Sequence, residues 1–205
     1  MSPDLFADAK TKTYQLDLRA SRDFGELPGG PLGVAVGLDV RHESVQLDPV
    51  TGTDKADVIG LGFSAYSGYR RLYAVFGEVL APLSKTFELS AALRADEYTT
   101  VGGSITPKLA FKWTPNRTWA LRGSFAEGFR APSVAESGDG GLSAFTRVRD
   151  PVRCDAGVQS ACAPATLAIV TSPNPALEPE TSRSTTLGMI FEPLVHTTVS
   201  REVWQ

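Results

Sequence analysis

The sequence is short of the residues on which most enzymes and metal proteins depend. It has two histidines and two cysteines in 205 residues. His42 and His196 lie far apart, with no HExxH spacing, and the cysteines have no clustered histidines to complete a zinc site. Gly62-Phe-Ser-Ala-Tyr66 lacks the second glycine of a nucleophile elbow. No Walker or dinucleotide fingerprint occurs. Gly29-Gly30 and Gly102-Gly103 read as turn residues that need positive φ, not as phosphate cradles. A catalytic site, a metal site and a bound cofactor are therefore not expected. The formal charge of −3 gives no support to a nucleic-acid partner. No stretch approaches the ~18–20 unbroken apolar residues of a membrane-spanning helix. Met1-Ser-Pro-Asp-Leu5 has neither the basic start nor the apolar core of a signal peptide.

The lack of a long apolar run does not exclude a membrane protein, because barrel strands alternate apolar and polar residues. Alternation is what this chain has in quantity. Tyr14, Leu16, Leu18 and Ala20 oppose Gln15, Asp17 and Arg19. Val34, Val36, Leu38 and Val40 oppose Gly37, Asp39 and Arg41. Phe87, Leu89, Ala91 and Leu93 oppose Glu88, Ser90 and Arg94, while Leu109, Phe111 and Trp113 oppose Lys108, Ala110 and Lys112. Leu187, Met189 and Phe191 repeat the pattern. Successive strand side chains point to opposite sides, so each segment has one oily and one wet face. Strands are expected near 11–21, 32–46, 70–81, 86–99, 105–114, 118–127 and 180–192, with a last one beginning near 195. The segment 70–81 is apolar on both faces, which leaves its inward side open.

The connections sort by length. Those at 26–31, 82–85, 115–117 and near Pro193 are short and alternate with 42–69, 99–104 and 128–179. Both long connections then share one side, as in barrels with short periplasmic turns and longer extracellular loops. Trp113 and Trp119 bracket the 115–117 turn, where an interface girdle would lie. The expected fold is all-β: an antiparallel up-and-down transmembrane β-barrel, present in part, with about eight strands of a larger barrel.

Three phrases carry a resemblance. Leu121-Arg-Gly-Ser-Phe-Ala-Glu-Gly-Phe-Arg-Ala-Pro-Ser133 precedes a long loop, and Asn174-Pro-Ala-Leu-Glu-Pro-Glu-Thr-Ser182 follows it, running on to Leu187-Gly-Met-Ile-Phe-Glu-Pro193. Arg94-Ala-Asp-Glu-Tyr98, Val101-Gly-Gly-Ser104 and Thr106-Pro-Lys108 come earlier in matching order. Together they resemble the barrel domain of TonB-dependent outer-membrane receptors, firmly from Arg94 to Pro193 and more loosely before. The resemblance implies energy-coupled uptake of a metal chelate, cobalamin, a sugar or a peptide across the bacterial outer membrane. It also implies outer-membrane lipid, a plug domain and the TonB complex as partners, the last pulling on an N-terminal TonB box. The ligand stays unassigned. Nothing in 1–205 resembles a plug or signal peptide, and the chain stops at Trp204-Gln205 just inside a strand. The whole of 1–205 is read as part of one barrel domain, a fragment or truncated product.

Within that frame, Arg94, Asp96 and Arg122 are candidate lumen residues, with Asp17, Arg19, Asp39, Arg41, Glu88, Lys108 and Lys112 on the same wet faces. Glu127, Arg130 and Glu180 are candidate loop-base residues. The charge of Arg130 could pair with Glu127 or with Glu180. Cys154 and Cys162 both fall in the long loop and read as a local disulfide staple. Two other readings suit alternating strands: a soluble or surface β-sandwich binding module, with oily faces packed inward, and a porin-like barrel with passive flow.

Overall fold

The computed structural model describes residues 6–55, 62–194 and 197–205. Met1–Leu5, His196 and the expected start of the last strand near 195 lie outside them. Ten strands form one sheet: β1 (Ala9–Leu27), β2 (Gly30–Leu47), β3 (Ser64–Ser84), β4 (Phe87–Tyr98), β5 (Gly102–Trp113), β6 (Trp119–Arg130), β7 (Asp139–Val148), β8 (Ala165–Thr171), β9 (Glu180–Leu194) and β10 (Thr197–Trp204). The order is β1-β2-β3-β4-β5-β6-β9-β10, with β7 branching off to pair with β3 and β8. The registered pairs are antiparallel. β1 and β10 are the two ends of that order, so the sheet does not close on itself among the described residues.

The chain divides into two compact units. The wall unit comprises Tyr14–His42, Arg71–Pro132 and Glu178–Gln205. Its register keeps the two faces distinct. Phe87, Leu89, Ala91 and Leu93 of β4 stand opposite Trp113, Phe111, Leu109 and Pro107 of β5. Leu121, Gly123 and Phe125 of β6 stand opposite Met189, Leu187 and Thr185 of β9. A one-residue slip would turn every oily side chain to the wet face, so the alternation itself specifies the pairing. The ambiguity at 70–81 is resolved by register. Phe76 pairs with Arg94, and Val75 and Val79 pair with Ala95 and Ala91. Leu72, Ala74 and Phe76 thus share the charged face, while Tyr73 and Val75 join the exposed apolar one.

The short turns are built by local chemistry. Asn116 Oδ1 accepts from the N–H groups of Thr118 and Trp119 at 2.9 and 3.0 Å, closing the β5–β6 turn. Trp119 packs on Phe191 with centroids 4.3 Å apart, and Phe87 stacks on Phe111 at 6.2 Å. Gly102 takes φ +80° where β4 turns into β5, a conformation that side chains disfavour.

The loop unit comprises Met1–Thr13, Glu43–Arg70 and Ser133–Leu177. Two findings differ from the sequence expectation here. The region 128–179 is not a plain loop: it holds α1 (Val134–Ser137), the β7–β8 hairpin and α2 (Pro151–Asp155). β7 takes its place by pairing Asp139 to Leu142 with Ser67 to Ser64 of β3, a distant partner that no local pattern reveals. In addition, β1, β2 and β3 reach 19, 18 and 21 residues. That is well beyond the ~9–11 needed to cross a bilayer at a tilt.

The chain exposes 14567 Å² for a mass of 21.9 kDa. A self-contained globule of that mass would expose about 9,300 Å². Leu72, Ala74, Ala131 and Val134 are the buried hydrophobic residues among those described. The apolar stripes face outward instead: Tyr14, Leu16, Leu18, Leu93, Ile105, Leu109 and Leu187 are all largely exposed. A β-sandwich would pack these side chains between layers, and the structure does not favour that reading.

Candidate functional site

The wet face of the wall unit gathers its charges on β1, β2 and β4 around one aromatic ring. Asp39 is 4% exposed and accepts from Gln15 Nε2 at 3.3 Å and Arg41 Nη2 at 3.2 Å. Arg94 Nη2 lies 3.6 Å from the same carboxylate. Arg94 Nε donates to both oxygens of Asp96 at 2.9 Å, and Asp96 is also buried. Arg19 pairs with Asp17 at 2.7 Å. Arg19 and Arg94 each place a guanidinium against Phe76, 5.9 and 6.0 Å from the ring centre. Phe76 lies over Gly37, where any Cβ would collide with the ring. Small at one position and large at the next strand, the pair fills the face without a gap. Three arginines and three aspartates leave the cluster formally neutral. It is a fixed polar surface, not an ion trap. Among the described residues, no group of His, Cys, Asp and Glu has the composition of a metal site.

Arg122 occupies the same face on β6. It reaches across Gly188 of β9 to Glu202 of β10, at 3.1 and 3.2 Å. Gly188 provides the trough: a Cβ there would stand 3.1 Å from Arg122 Nε. Ser124 and Thr186 share a hydroxyl hydrogen bond of 2.7 Å beside it. Glu202 was not among the candidates, and only the three-strand register exposes it as the partner.

At the base of the long excursion, the structure selects between the two partners open to Arg130. Its Nε and Nη2 donate to Glu180 Oε2 and Oε1 at 3.0 and 2.6 Å. The two residues are register partners, the last pair of the β6–β9 ladder. Glu127 instead accepts from Arg183 at 3.0 Å, its own register partner. By alternation Glu127 lies on the face of Phe125, opposite to that of Arg122 and Arg130. The candidates Arg94 and Asp96 are thus brought together, and so are Arg130 and Glu180. Arg122 and Glu127 join partners that sequence reading did not name.

The loop unit has ties of its own. Glu43 and Arg70 pair at 2.7 Å. Glu136 accepts from the Ser133 N–H at 2.7 Å and holds the entry to α1. Asp150 caps α2 by accepting from the Arg153 N–H at 3.0 Å. Cys154 and Cys162 are joined by a disulfide that closes the next few residues into a ring.

A sheet with an exposed apolar face, a charged opposite face and antiparallel neighbours has the arrangement of a β-barrel wall. The family model described as TonB dependent receptor-like, beta-barrel, matches residues 3–200, and the chain belongs to that family. The siderophore receptor PirA of Acinetobacter baumannii is similar in fold, with a TM-score of 0.67 at 20% identity over 90% of this chain and 25% of that one. PirA of Pseudomonas aeruginosa gives 0.67 at 19% over 91% and 30%. A mutant ferric enterobactin receptor (PfeA) of Pseudomonas aeruginosa, in complex with enterobactin, gives 0.69 at 16% over 95% and 27%. The chain therefore spans 25–30% of the length of these three receptors. No curated protein matches it in sequence. The family model is that of a receptor-like barrel, and the matched structures are described as receptors.

Proposed function

We propose that this chain supplies wall strands and surface loops to a TonB-dependent receptor of the bacterial outer membrane. That receptor takes up a metal chelate, or a nutrient handled in the same way, by energy-coupled transport. The observation that carries the reading is the division of faces. Apolar side chains stand exposed on one side of the wall unit, where hydrocarbon would cover them, and paired charges line the other. The family match and the fold of siderophore receptors support it. In this account 1–205 is a portion of one barrel domain. Its partners are outer-membrane lipid, a plug domain and the TonB complex, and the chain performs no catalysis. Open sheet edges cannot face hydrocarbon, so the working wall closes with further strands.

Two measurements test the proposal. In vesicles, the receptor that contains this segment, with every tryptophan but Trp113 and Trp119 replaced by phenylalanine, keeps those two as reporters. Lipid-borne quenchers should extinguish most of their emission, and emission insensitive to such quenchers would sink the membrane placement. For the cargo, cells carrying the receptor that contains this segment are grown in iron limitation on one ferric chelate at a time. Deletion should abolish growth on at least one chelate. Unchanged growth on all of them would reject chelate uptake and leave the wall standing.

A further inference from the structure

We propose that the free edge of β8 (Ala165–Thr171) docks β8 of a second copy of this chain, joining two receptors hairpin to hairpin. Leu142 of β7 pairs both with Ser64 of β3 and with Thr171 of β8, so these partners lie on opposite edges of β7. The Phe63 carbonyl, which accepts from the Ser143 N–H at 2.8 Å, extends the β3 side. The second edge of β8 therefore points away from both strands, and it has no pairing partner among the described residues. Such an edge offers a row of N–H and C=O groups to any strand that reaches it. The devices that usually blunt an edge are missing. From Ala165 to Thr171 there is no charge and no proline, and the register with β7 runs without a bulge. All seven side chains are exposed, Leu167, Ile169 and Val170 among them.

The chemistry of the strand selects its own copy. From Ala156 to Leu177 no residue carries a charge. The edge has nothing to attract an acidic or basic segment, and no like charges hold a copy away. The strand is also self-complementary. With a two-fold axis at Ala168, antiparallel pairing sets Ala165 against Thr171, Thr166 against Val170, and Leu167 against Ile169 of the copy. Partners then share parity, so outward-pointing N–H and C=O groups meet outward-pointing ones. Sizes match as well. β7 places Ala144 and Thr146 beside Ile169 and Leu167, and Phe145 beside Ala168. On one face the large side chains of the seam lie between small ones. On the other, the small pair on the axis lies between two half-exposed Phe145 rings. Docking turns two strands into a four-stranded ribbon, where an isolated two-stranded hairpin is marginal in water. A two-fold seam of this kind closes on itself and stops at two copies.

The test uses the receptor that contains this segment, in its own membrane and in detergent. Ala168→Cys puts one thiol per copy on the axis, with facing Cβ atoms about 5 Å apart. Mild oxidation should yield a covalent dimer, with the linked peptide identified by mass spectrometry. Thr166→Cys alone holds its two thiols about 13 Å apart along the strands and should give none. Thr166→Cys with Val170→Cys should restore the link. Without cross-links, sedimentation in detergent should show the dimer fraction rising with receptor concentration. At one copy per vesicle the edge stays bare, and β8 behaves as an ordinary surface strand. Thr166→Glu with Val170→Glu sets like charges against each other at two places and should weaken association about 15-fold. Thr166→Glu with Val170→Lys sets opposite charges there and should bring association back. A receptor that stays single at every concentration overturns the inference, and so does a double-glutamate variant that associates as tightly as wild type. Linkage of the Ala168→Cys receptor to a different protein, or a dimer that Thr166→Cys captures as readily as Ala168→Cys, overturns it too.

Discussion

The wall unit and the loop unit are held together in different ways. In the wall, ion pairs run from strand to strand along one face, as Arg94 of β4 to Asp39 of β2, and as Arg122 over Gly188 to Glu202. In the loop unit, the segment 133–177 adds local closures: a disulfide between Cys154 and Cys162, the Asp150 cap, and Glu136 reaching back three residues. Burial differs as well. The wall leaves its oily residues on a continuous outward stripe, whereas the exposed apolar residues of β8 sit on a short strand with one partner. The lesson is that exposure has two meanings in this chain. In the wall it marks a surface matched to a solvent that is not water, and in the hairpin it marks a strand whose pairing is incomplete.

That contrast can be broken most directly by placing the same charge in both units. Leu109→Arg on the outward face of β5 should cost about 2–4 kcal/mol in a bilayer. Ile169→Arg in β8 should stay within about 0.5 kcal/mol, as at an ordinary surface position. Urea titration of the vesicle-inserted receptor that contains this segment reads both, and equal losses would erase the distinction. The next effect belongs to the charge cluster. Asp39→Ala removes the buried carboxylate that Gln15, Arg41 and Arg94 share and should cost about 3 kcal/mol, the low end for a broken buried pair, because both cations keep some exposure. A loss under about 0.5 kcal/mol in the same titration would mean that water has full access to Asp39. Cys154→Ser with Cys162→Ser should remove somewhat under ~3 kcal/mol of loop-closure stabilisation. The effect should stay in the loop unit: limited proteolysis should cut faster near 150–163 while wall fragments persist. The smallest effect sharpens the comparison. A double-mutant cycle on Arg130 and Glu180 should return only ~0–1 kcal/mol, since both side chains are more than half exposed. A coupling above about 2 kcal/mol would show the pair shielded from water in the assembled receptor.

Much of the wall was legible in the sequence because strand alternation is a local signal. Tyr14, Leu16 and Leu18 announce their face without reference to any other residue. Each expected wall strand exists, with boundaries shifted outward where polar alternation carries β1 to β3 past the apolar stripe. The choice of face for 70–81 was not legible, since Phe76 is oily yet pairs with Arg94 on the wet side. It fits there because Gly37 leaves room beneath the ring and two guanidinium groups flank it. The β7–β8 hairpin was hidden for another reason. Asp139-Gly-Gly-Leu-Ser-Ala reads as loop, and the backbone partners that make it a strand lie on β3. The candidate charges were found as types but not as pairs, because Glu202 and Arg183 acquire their roles only through register.

The chain leaves β6 at Arg130 and begins β9 at Glu180, and these two residues face each other across the ladder. The excursion between them begins and ends at one rung. Its length therefore bears little on the β6–β9 ladder: doubling a flexible stretch closed at that rung would add only about 0.6 kcal/mol of closure entropy. A doorway of this kind lets the outer decoration be lengthened, shortened or exchanged while the neighbouring rungs keep their places.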